Sequence, residues 1–299
     1  MFSLNSSTIA FSIGNFNIYW YGVLFALSLL IGWYISNNIV KQLNNFGYSN
    51  LTLNEFDSFL FIGLIVVIIS SRLGHVLFYD FQFYKENPIE IFMIRHGGLA
   101  FHGGLIGLMI YVYLYCKKKS ISWLLLLDVL SIAASAGLIT GRLANFFNQE
   151  LVGKIWASEY GVVFPLVDTF PRYPTQLYEA LTEGLLAFFI QIMYLNINKW
   201  KSFGTGRYAV IFGIVYSTSR FIIEFFKDVE EIFITNNLLL TVGQILCILM
   251  FILSLILYSI GNRKISESIW ISVYYLLISI THNEYCTYFL FIHNILYIT

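Results

Sequence analysis

Arginine residues inside apolar stretches are the first feature of this sequence that points to chemistry. Arg72, Arg142 and Arg220 lie within or at the end of such stretches. Placing an arginine in a bilayer costs about 2.5 kcal/mol or more, so each residue must face a helix-bundle interior or a wet cavity and needs an anionic partner. A structural ion pair and a site for an anionic ligand both meet this requirement.

Helical spacing identifies neighbours for two of these arginines. Arg220 and Glu224 are four residues apart, so they share one face of a helix and can pair. Arg142 and Asn145 are three residues apart and also share a face. Further carboxylates in or near apolar stretches belong to Asp128, for which we favour a structural role, Glu179 and Glu183.

A glycine-rich segment surrounds a histidine at residues 97–107, Gly-Gly-Leu-Ala-Phe-His-Gly-Gly-Leu-Ile-Gly. Glycines weaken a helix, so this density requires a reason. One reason is close helix packing at the spacing of Gly103 and Gly107, and the other is approach of the backbone to a ligand. His102 fits either a structural hydrogen bond or a group that accepts a proton near neutral pH.

A second polar segment, residues 141–154, contains an arginine, two asparagines and a glutamate close together: Arg142, Asn145, Asn148 and Glu150. Arginine can bind phosphate through two parallel hydrogen bonds, and asparagine amides can add neutral ones. The segment 148–175 is long enough to form a lid or a small head. The three cysteines have neither metal nor disulfide spacing.

Composition places these groups in a membrane protein. Hydrophobic residues make up 58% of the chain and charged residues only 11%, and the net charge of zero argues against a nucleic-acid partner. A hydrocarbon core about 30 Å thick needs roughly 20 apolar residues of helix. We therefore predict an all-α polytopic membrane protein with seven transmembrane helices, at about 18–40, 55–79, 98–116, 123–147, 176–196, 207–226 and 238–260. A further apolar stretch, 269–298, is interrupted by Thr281-His282-Asn283-Glu284 and is compatible with an eighth span, an interfacial hairpin or a tail.

The distribution of basic residues predicts the orientation, because cytoplasmic loops carry an excess of Lys and Arg. The loops after the first, third and fifth spans and the segment after the seventh are richer in Lys and Arg than the opposite loops, most clearly at Lys117-Lys118-Lys119. The N-terminus is then outside and residues from 261 onward are inside. In this orientation the polar groups of the second, fourth, fifth and sixth spans collect toward one leaflet, which favours a site over scattered structural pairs.

In order and spacing, these residues resemble the prolipoprotein diacylglyceryl transferases of bacteria over about 18–260. The matching stretches are 19–22, 71–79, 87–88, 97–104, 141–153, 174–179, 220–226 and 243–244. The His-Gly segment and the Gly-Arg-x-x-Asn-Phe-x-Asn-x-Glu segment are highly specific together. The chain departs from the family pattern at Ser70-Ser71, Ala144, Gln149 and Lys154, of which Gln149 is the one expected to alter the turn of its loop.

The resemblance implies a seven-helix bundle of the bacterial cytoplasmic (inner) membrane, with its N-terminus outside, its C-terminus inside and a small periplasmic or extracellular head. It also implies a transferase that moves the sn-1,2-diacylglyceryl group of phosphatidylglycerol to the thiol of the lipobox cysteine in prolipoprotein signal peptides. The product is a thioether, glycerol phosphate leaves, and no metal, nucleotide or other cofactor is needed. Residues 1–264 would form the transferase domain, and 265–299 a hydrophobic extension of unknown role.

Carried over onto this sequence, the resemblance also implies roles for single residues. Arg142 resembles the arginine that binds the phospholipid headgroup, and Arg220 resembles a second essential arginine. His102 would accept the thiol proton, orient the lipid or shape the cavity. The implied catalytic residues are His102, Arg142, Arg220 and Tyr21, and the implied substrate-binding residues are Arg142, Asn145, Glu150, Gly153, Glu224, Gly98 and Gly104.

Two other classes of function compete with the enzyme. In a transporter, the buried Arg and Glu residues would form a substrate pathway, which predicts internal repeats and broken helices near the midplane; the sequence shows no repeat. In a non-catalytic membrane protein they would be structural pairs, although every principal motif residue of the enzyme family is present.

Overall fold

The computed structural model describes residues 2–4, 8–14, 16–78, 80–93, 97–98, 100–229, 231–235, 238–241 and 243–262. These residues are mostly helical. The α-helices are α1 (Trp20–Asn45), α2 (Leu53–Phe78), α3 (Phe81–Glu86), α4 (Phe101–Lys119), α5 (Trp123–Phe147), α6 (Thr175–Glu179), α7 (Ala187–Asn198), α8 (Arg207–Ile223) and α9 (Gly243–Asn262). A π-helical turn, Ala180–Leu186, joins α6 to α7, and 3-10 turns form at Pro88–Phe92 and Glu224–Phe226.

Short strands accompany the helices. They are β1 (Phe2–Ser3), β2 (Ile9–Ile13), β3 (Phe16–Tyr19), β4 (Val162–Val163), β5 (Pro171–Arg172), β6 (Glu231–Thr235) and β7 (Leu238–Thr241). β1 runs parallel to β4 with Phe2 opposite Val162, and β4 runs antiparallel to β5. The pairs β2–β3 and β6–β7 are antiparallel hairpins.

Six helices of the described part of the chain are long and apolar enough to cross a membrane. They are Trp20–Asn45, Leu53–Leu77, Trp123–Phe147, Thr175–Asn198, Arg207–Phe226 and Gly243–Asn262. The predicted multi-pass helical membrane fold is therefore confirmed. The seventh predicted span, 238–260, starts later than expected, because Leu238–Thr241 forms β7.

The third predicted span, 98–116, corresponds to α4, which is not among these six helices. Its three glycines, three tyrosines and terminal lysines dilute its apolar character. The count of seven spans stays a prediction. The stretch 269–298 lies outside the described residues, and the predicted domain boundary after residue 264 also stays a prediction.

The chain divides into two compact units, of which the first comprises residues 1–36 and 127–299 and the second residues 37–126. In the second unit, α4 packs against α2 through glycines. A Cβ added to Gly103 would overlap the Ser70 carbonyl oxygen and lie 2.9 Å from Gly74 Cα, and one added to Gly107 would overlap the Ser70 side chain. The packing reason predicted for the spacing of Gly103 and Gly107 is confirmed.

Arg72 of the second unit is buried, with 4% of its surface exposed, and its guanidinium lies 5.0 Å from the centre of the Tyr84 ring. It donates hydrogen bonds to backbone carbonyls, those of Glu90, Ile91, Met93, Gly97 and Gly98. The sequence predicts an anion beside every arginine in an apolar stretch, and for Arg72 the structure corrects this. The backbone carbonyls of the segment after α3 solvate the Arg72 guanidinium, and the hydrogen bonds from Arg72 hold that segment in place.

In the first unit, a buried carboxylate fixes the start of α8 against α5. Asp128 accepts four backbone N–H bonds of 2.9–3.2 Å, from Gly204, Gly206, Tyr208 and Ala209. These N–H groups have no partner within the helix, because they belong to its first turn and the residues before it. The structural role favoured for Asp128 is confirmed. Its hydrogen bonds fix the position of the first turn of α8 relative to α5.

A glutamine of α7 completes this framework. Gln191 Oε1 accepts from the Ser135 hydroxyl at 2.7 Å, and Nε2 donates to the Ser131 hydroxyl at 3.1 Å and to the Tyr208 carbonyl at 3.0 Å. All three bonds are buried, where an unmet polar group is costly. They join α5, α7 and α8, the helices that carry or adjoin the arginines of the first unit.

Candidate active site

A buried cluster of charged side chains lies in the first unit. Its members come from α5, α6, the π-helical turn, α8 and the residues just after α8. We call it the charge cluster and define it as Arg142, Glu179, Glu183, Arg220, Glu224 and Lys227. Its three cations and three carboxylates balance each other.

Arg142 binds two carboxylates at once. Its Nη2 donates to Glu183 Oε2 at 2.8 Å, and its Nη1 lies 3.3 Å from Glu179 Oε2. Both glutamates are fully buried, whereas 13% of the Arg142 side chain is exposed. A small part of the Arg142 side chain is therefore accessible although its charge is already paired.

Arg220 has three carboxylate neighbours, of which Glu183 is the most distant, with its Oε1 3.9 Å from Arg220 Nη1. Its Nη1 contacts Glu179, and its Nε lies 3.1 Å from Glu224 Oε2. The pairing predicted from the spacing of Arg220 and Glu224 is confirmed. Glu224 in turn accepts from the Thr241 hydroxyl at 3.1 Å, and a Cβ on Gly243 would overlap its carboxylate.

Lys227 is the member that sequence reasoning missed. Its Nζ lies 2.7 Å from Glu179 Oε1, and only 1% of its side chain is exposed. Burial lowers the pKa of this ammonium, and the neighbouring Glu179 carboxylate opposes that shift. The sequence places Lys227 after an apolar stretch, where a lysine ordinarily reaches water, so its type and position gave no signal.

The two glutamates that hold the arginines were predicted only as acids near a span. Glu179 ends α6 and Glu183 lies in the π-helical turn. Single π-helical turns inside α-helices are frequent at functional sites. The available signal was the recurrence of Gln176, Glu179 and Glu183 at spacings of three and four in an otherwise apolar helix.

A second polar group adjoins the charge cluster along the chain. Asn145 follows Arg142 by one turn of α5, and its Nδ2 donates to Glu150 Oε1 at 2.5 Å. Asn148 Nδ2 donates to Glu150 Oε2 at 3.0 Å. The Tyr21 phenol is close enough to Glu150 to interact with it electrostatically. The structure therefore brings together three residues that the resemblance implied, Tyr21, Asn145 and Glu150.

The turn before Glu150 is built without the expected glycine. Gln149 adopts a left-handed backbone, with φ of 58°, and its Oε1 accepts from the Leu166 N–H at 2.9 Å. Gln176 of α6 donates to the Glu150 carbonyl at 2.6 Å. The turn therefore forms although glutamine replaces the glycine of the family pattern, and the hydrogen bond from the Leu166 N–H links the Gln149 side chain to the segment that follows.

Gly153 lies where two chain segments meet. Its N–H donates to the Tyr173 carbonyl at 3.0 Å, and its carbonyl accepts from Arg172 Nη1 at 2.9 Å. A Cβ there would lie 2.6 Å from Tyr173 Cβ and 2.8 Å from the Phe226 carbonyl oxygen. Close packing is thus reason enough for a glycine at this position, and its role in substrate binding stays a prediction.

Arg172 ties the segment 148–175, the head segment, to the end of α8. It binds Asp168 Oδ2 at 2.5 Å and Asp228 Oδ2 at 2.7 Å. The Arg172 guanidinium holds the pKa of the Asp168 carboxyl below its usual range. The rings of Trp156 and Tyr173 stack at 4.4 Å within the same segment.

Three residues implied by the resemblance belong to the second unit. His102 is the second residue of α4. Gly98 has φ of +76° and accepts from Arg72, and Gly104 packs against Ser71 and Val67. Packing explains both glycines, and the roles of all three residues toward a substrate stay predictions.

The charge cluster changes what the sequence led us to expect of the arginines. The sequence predicted Glu224 beside Arg220 and favoured a ligand site over scattered structural pairs, whereas the structure supplies protein carboxylates to both arginines. Both arginines keep an exposed fraction, 13% and 19%. An anionic ligand at either arginine would meet a guanidinium that already has carboxylate neighbours.

Comparison with known proteins gives one family. The model of the family "Prolipoprotein diacylglyceryl transferase" matches residues 8–260. The phosphatidylglycerol–prolipoprotein diacylglyceryl transferase of Rickettsia felis is 37% identical over 262 residues, which is 87% of this chain and 98% of the relative. Those of Rickettsia typhi and Rickettsia canadensis are each 38% identical, over 87% and 83% of this chain and 98% and 94% of the relatives. With a match from residue 8 to residue 260, this chain belongs to the prolipoprotein diacylglyceryl transferase family.

Proposed function

We propose that this chain transfers the sn-1,2-diacylglyceryl group of phosphatidylglycerol to the thiol of the lipobox cysteine of prolipoproteins, the first step of bacterial lipoprotein maturation. The main support for this function is that Arg142 and Arg220 both bind the buried carboxylate of Glu179. The side chains of both arginines are partly exposed. Two guanidinium groups in a membrane-spanning unit suit an anionic lipid headgroup. Family membership favours this enzyme over the transporter and the non-catalytic protein.

The reaction requires a thiolate and a stabilised leaving group. The cysteine sulfur attacks the glyceryl carbon that carries the phosphate, a C–S bond forms, and the C–O bond breaks with its electron pair leaving on glycerol phosphate. Negative charge therefore grows on the phosphate. Preorganised guanidinium groups in a site of low dielectric stabilise such charge most effectively.

Each residue of the site has a part in this proposal. Arg142 binds the phosphate and Arg220 stabilises it as it leaves, while Glu224 orients Arg220. Asn145, Glu150 and Tyr21 form a second polar group, in which Asn145 lies one turn of α5 after Arg142. From the resemblance, His102 accepts the thiol proton, orients the lipid or shapes the cavity, and Gly98, Gly104 and Gly153 belong to the substrate-binding residues.

The proposed setting is the bacterial cytoplasmic (inner) membrane. The N-terminus and the head segment face outward, and the residues after α9 face inward. The exposed basic residues that end α4, Lys117 to Lys119, support this orientation. The partners are phosphatidylglycerol and prolipoprotein signal peptides, with no nucleic acid and no cofactor.

The test uses the purified full chain, phosphatidylglycerol labelled in its acyl chains, and a peptide with a lipobox cysteine. We expect label on the cysteine peptide and none on a matched serine peptide. Arg142→Ala should abolish the transfer while the protein still inserts into the membrane. Absence of transfer by well-folded wild-type protein would refute the function, and wild-type turnover by Arg142→Ala would refute the phosphate-binding role.

A further inference from the structure

Glu179 occupies a central position in the charge cluster. Its Oε1 is shared by Arg220 and Lys227, with Lys227 Nζ at 2.7 Å, and its Oε2 lies 3.3 Å from Arg142 Nη1. The carboxylate is fully buried. One buried anion therefore holds both arginines of the proposed phosphate site, and it has a third cation on the side away from Arg142.

The ammonium of Lys227 is not needed to hold its own stretch of chain. The backbone does this: Gly153 and Lys227 form a β-bridge, the Lys154 N–H donates to the Phe226 carbonyl at 2.8 Å, and the Asp228 N–H donates to the Val152 carbonyl at 3.3 Å. Burying an ammonium is expensive, and a well-packed apolar side chain is often no less stable. The charge of Lys227 therefore calls for an explanation other than local folding.

Charge balance supplies that explanation. The cluster is neutral with its three cations and three carboxylates. The phosphodiester of the lipid is a monoanion, and each arginine that turns from Glu179 to bind it leaves that carboxylate with one cation fewer. A released, fully buried carboxylate without a cation would be strongly destabilised.

We propose that Lys227 is a positioning residue that holds Glu179 while Arg142 and Arg220 exchange this carboxylate for the lipid phosphate. The inference rests on the proposed function, because it assumes that the two arginines receive an anionic headgroup. Lys227 does not touch the lipid. It sets the charge of the site and thereby the affinity for the anionic lipid.

The test compares four full-length proteins in lipid nanodiscs: wild type, Lys227→Met, Glu179→Gln and the double variant. The variants change the cluster charge by −1, +1 and 0, so the KM for phosphatidylglycerol should be lowest in Glu179→Gln and highest in Lys227→Met. The double variant should lie near wild type. Each unit of charge should change KM by about tenfold, with a smaller effect on kcat. Lys227→Arg restores the charge and should reverse the loss seen in Lys227→Met.

Where Lys227→Met leaves Glu179 unpaired and the protein does not fold, Glu179→Gln and the double variant decide. They differ only in the Lys227 charge, and neither contains the Glu179 carboxylate, so their comparison measures the charge that Lys227 adds to the site. We expect a KM about tenfold higher in the double variant. Equal KM values in these two proteins, or losses in kcat alone, would overturn the proposal.

Direct lipid binding separates this inference from the proposed function. Binding of phosphatidylglycerol, measured without any peptide, should follow the same order of variants, and binding of zwitterionic phosphatidylethanolamine should not. If phosphatidylglycerol binding follows this order of variants but no diacylglyceryl group is transferred, the role of Lys227 is supported and the transferase is refuted. Transfer activity with no such order would leave the transferase standing and reject the role of Lys227.

Discussion

The Arg142 guanidinium donates to the Glu183 carboxylate at 2.8 Å, from α5 to the π-helical turn, inside the first unit. The arginine that the sequence marks as a phosphate ligand is thus oriented before any lipid arrives. The Nη2 atom of the planar guanidinium pairs with Glu183, and the Nη1 atom pairs with Glu179. A guanidinium that is oriented in this way needs little reorientation to meet an anionic group.

Arg142→Lys tests whether this geometry, rather than charge alone, is required. Lysine carries a compact point charge and cannot bind two groups in the fixed geometry of a guanidinium. We expect kcat/KM to fall about 100-fold to 1,000-fold, the cost of removing one preorganised donor, with folding retained. Arg207→Lys is the matched control, because Arg207 of the same unit binds Tyr194 and Asn262 instead. Equal losses in both variants would contradict a specific role for Arg142.

Much of the first unit follows from helical spacing. The sequence correctly predicts the pairing of Arg220 with Glu224 and the structural role of Asp128. It does not predict that Glu179 and Glu183 bind both arginines, because these contacts join residues on different helices, such as Arg142 and Glu183, which are 41 positions apart. Periodicity reports which face a residue occupies, and the partner of that face is set by tertiary packing.

Arg72 illustrates the opposite error. Its position in an apolar stretch predicted an anionic partner, and the structure gives it backbone carbonyls instead. An irregular segment with unpaired carbonyls can solvate a guanidinium, but no sequence pattern states where such carbonyls lie. For α4, the glycine spacing predicted the packing correctly, while its assignment as a membrane span stays a prediction.

Glu150→Gln tests the second polar group, which is formed around the Glu150 carboxylate. The carboxylate accepts from two amides, those of Asn145 and Asn148, and a glutamine would turn its own N–H₂ toward one of them. We expect kcat/KM to fall about 10-fold to 100-fold, the range for losing a hydrogen bond to a charged group. Glu159→Gln, on the exposed surface of the head segment, is the control. Wild-type kinetics in Glu150→Gln would show that this carboxylate does not shape the site.

Two substitutions of Gln149 separate backbone strain from its hydrogen bond. Gln149→Gly relieves a left-handed backbone worth about 1 kcal/mol and loses the bond to the Leu166 N–H, also worth about 1 kcal/mol. The melting temperature should therefore stay near that of wild type. Gln149→Ala loses the bond and keeps the strain, so it should be less stable by about 1 kcal/mol. Identical melting temperatures for the two variants would contradict the strain at this turn.

Gly103→Ala tests the packing of α4 on α2. The new methyl group would overlap the Ser70 carbonyl oxygen, which is backbone and cannot rotate away. The helices must separate, and overpacking of this kind costs about 1–3 kcal/mol. Gly22→Ala is the control, because a Cβ there meets nothing within 4 Å. Thermal unfolding in detergent measures both, and equal stability of the two variants would contradict the close approach.

The head segment should loosen at low pH because of Asp168. Its carboxyl has a folded pKa below the unfolded value, since Arg172 binds the charged form. The stabilising contribution is therefore present above the unfolded pKa, about 3.9, and is lost as the pH falls through the folded pKa. Hydrogen exchange of residues 148–175 should show wild type and Asp168→Asn differing at about pH 6 and converging toward about pH 3. A difference that stays constant over this range would mean that protonation of Asp168 does not control the segment.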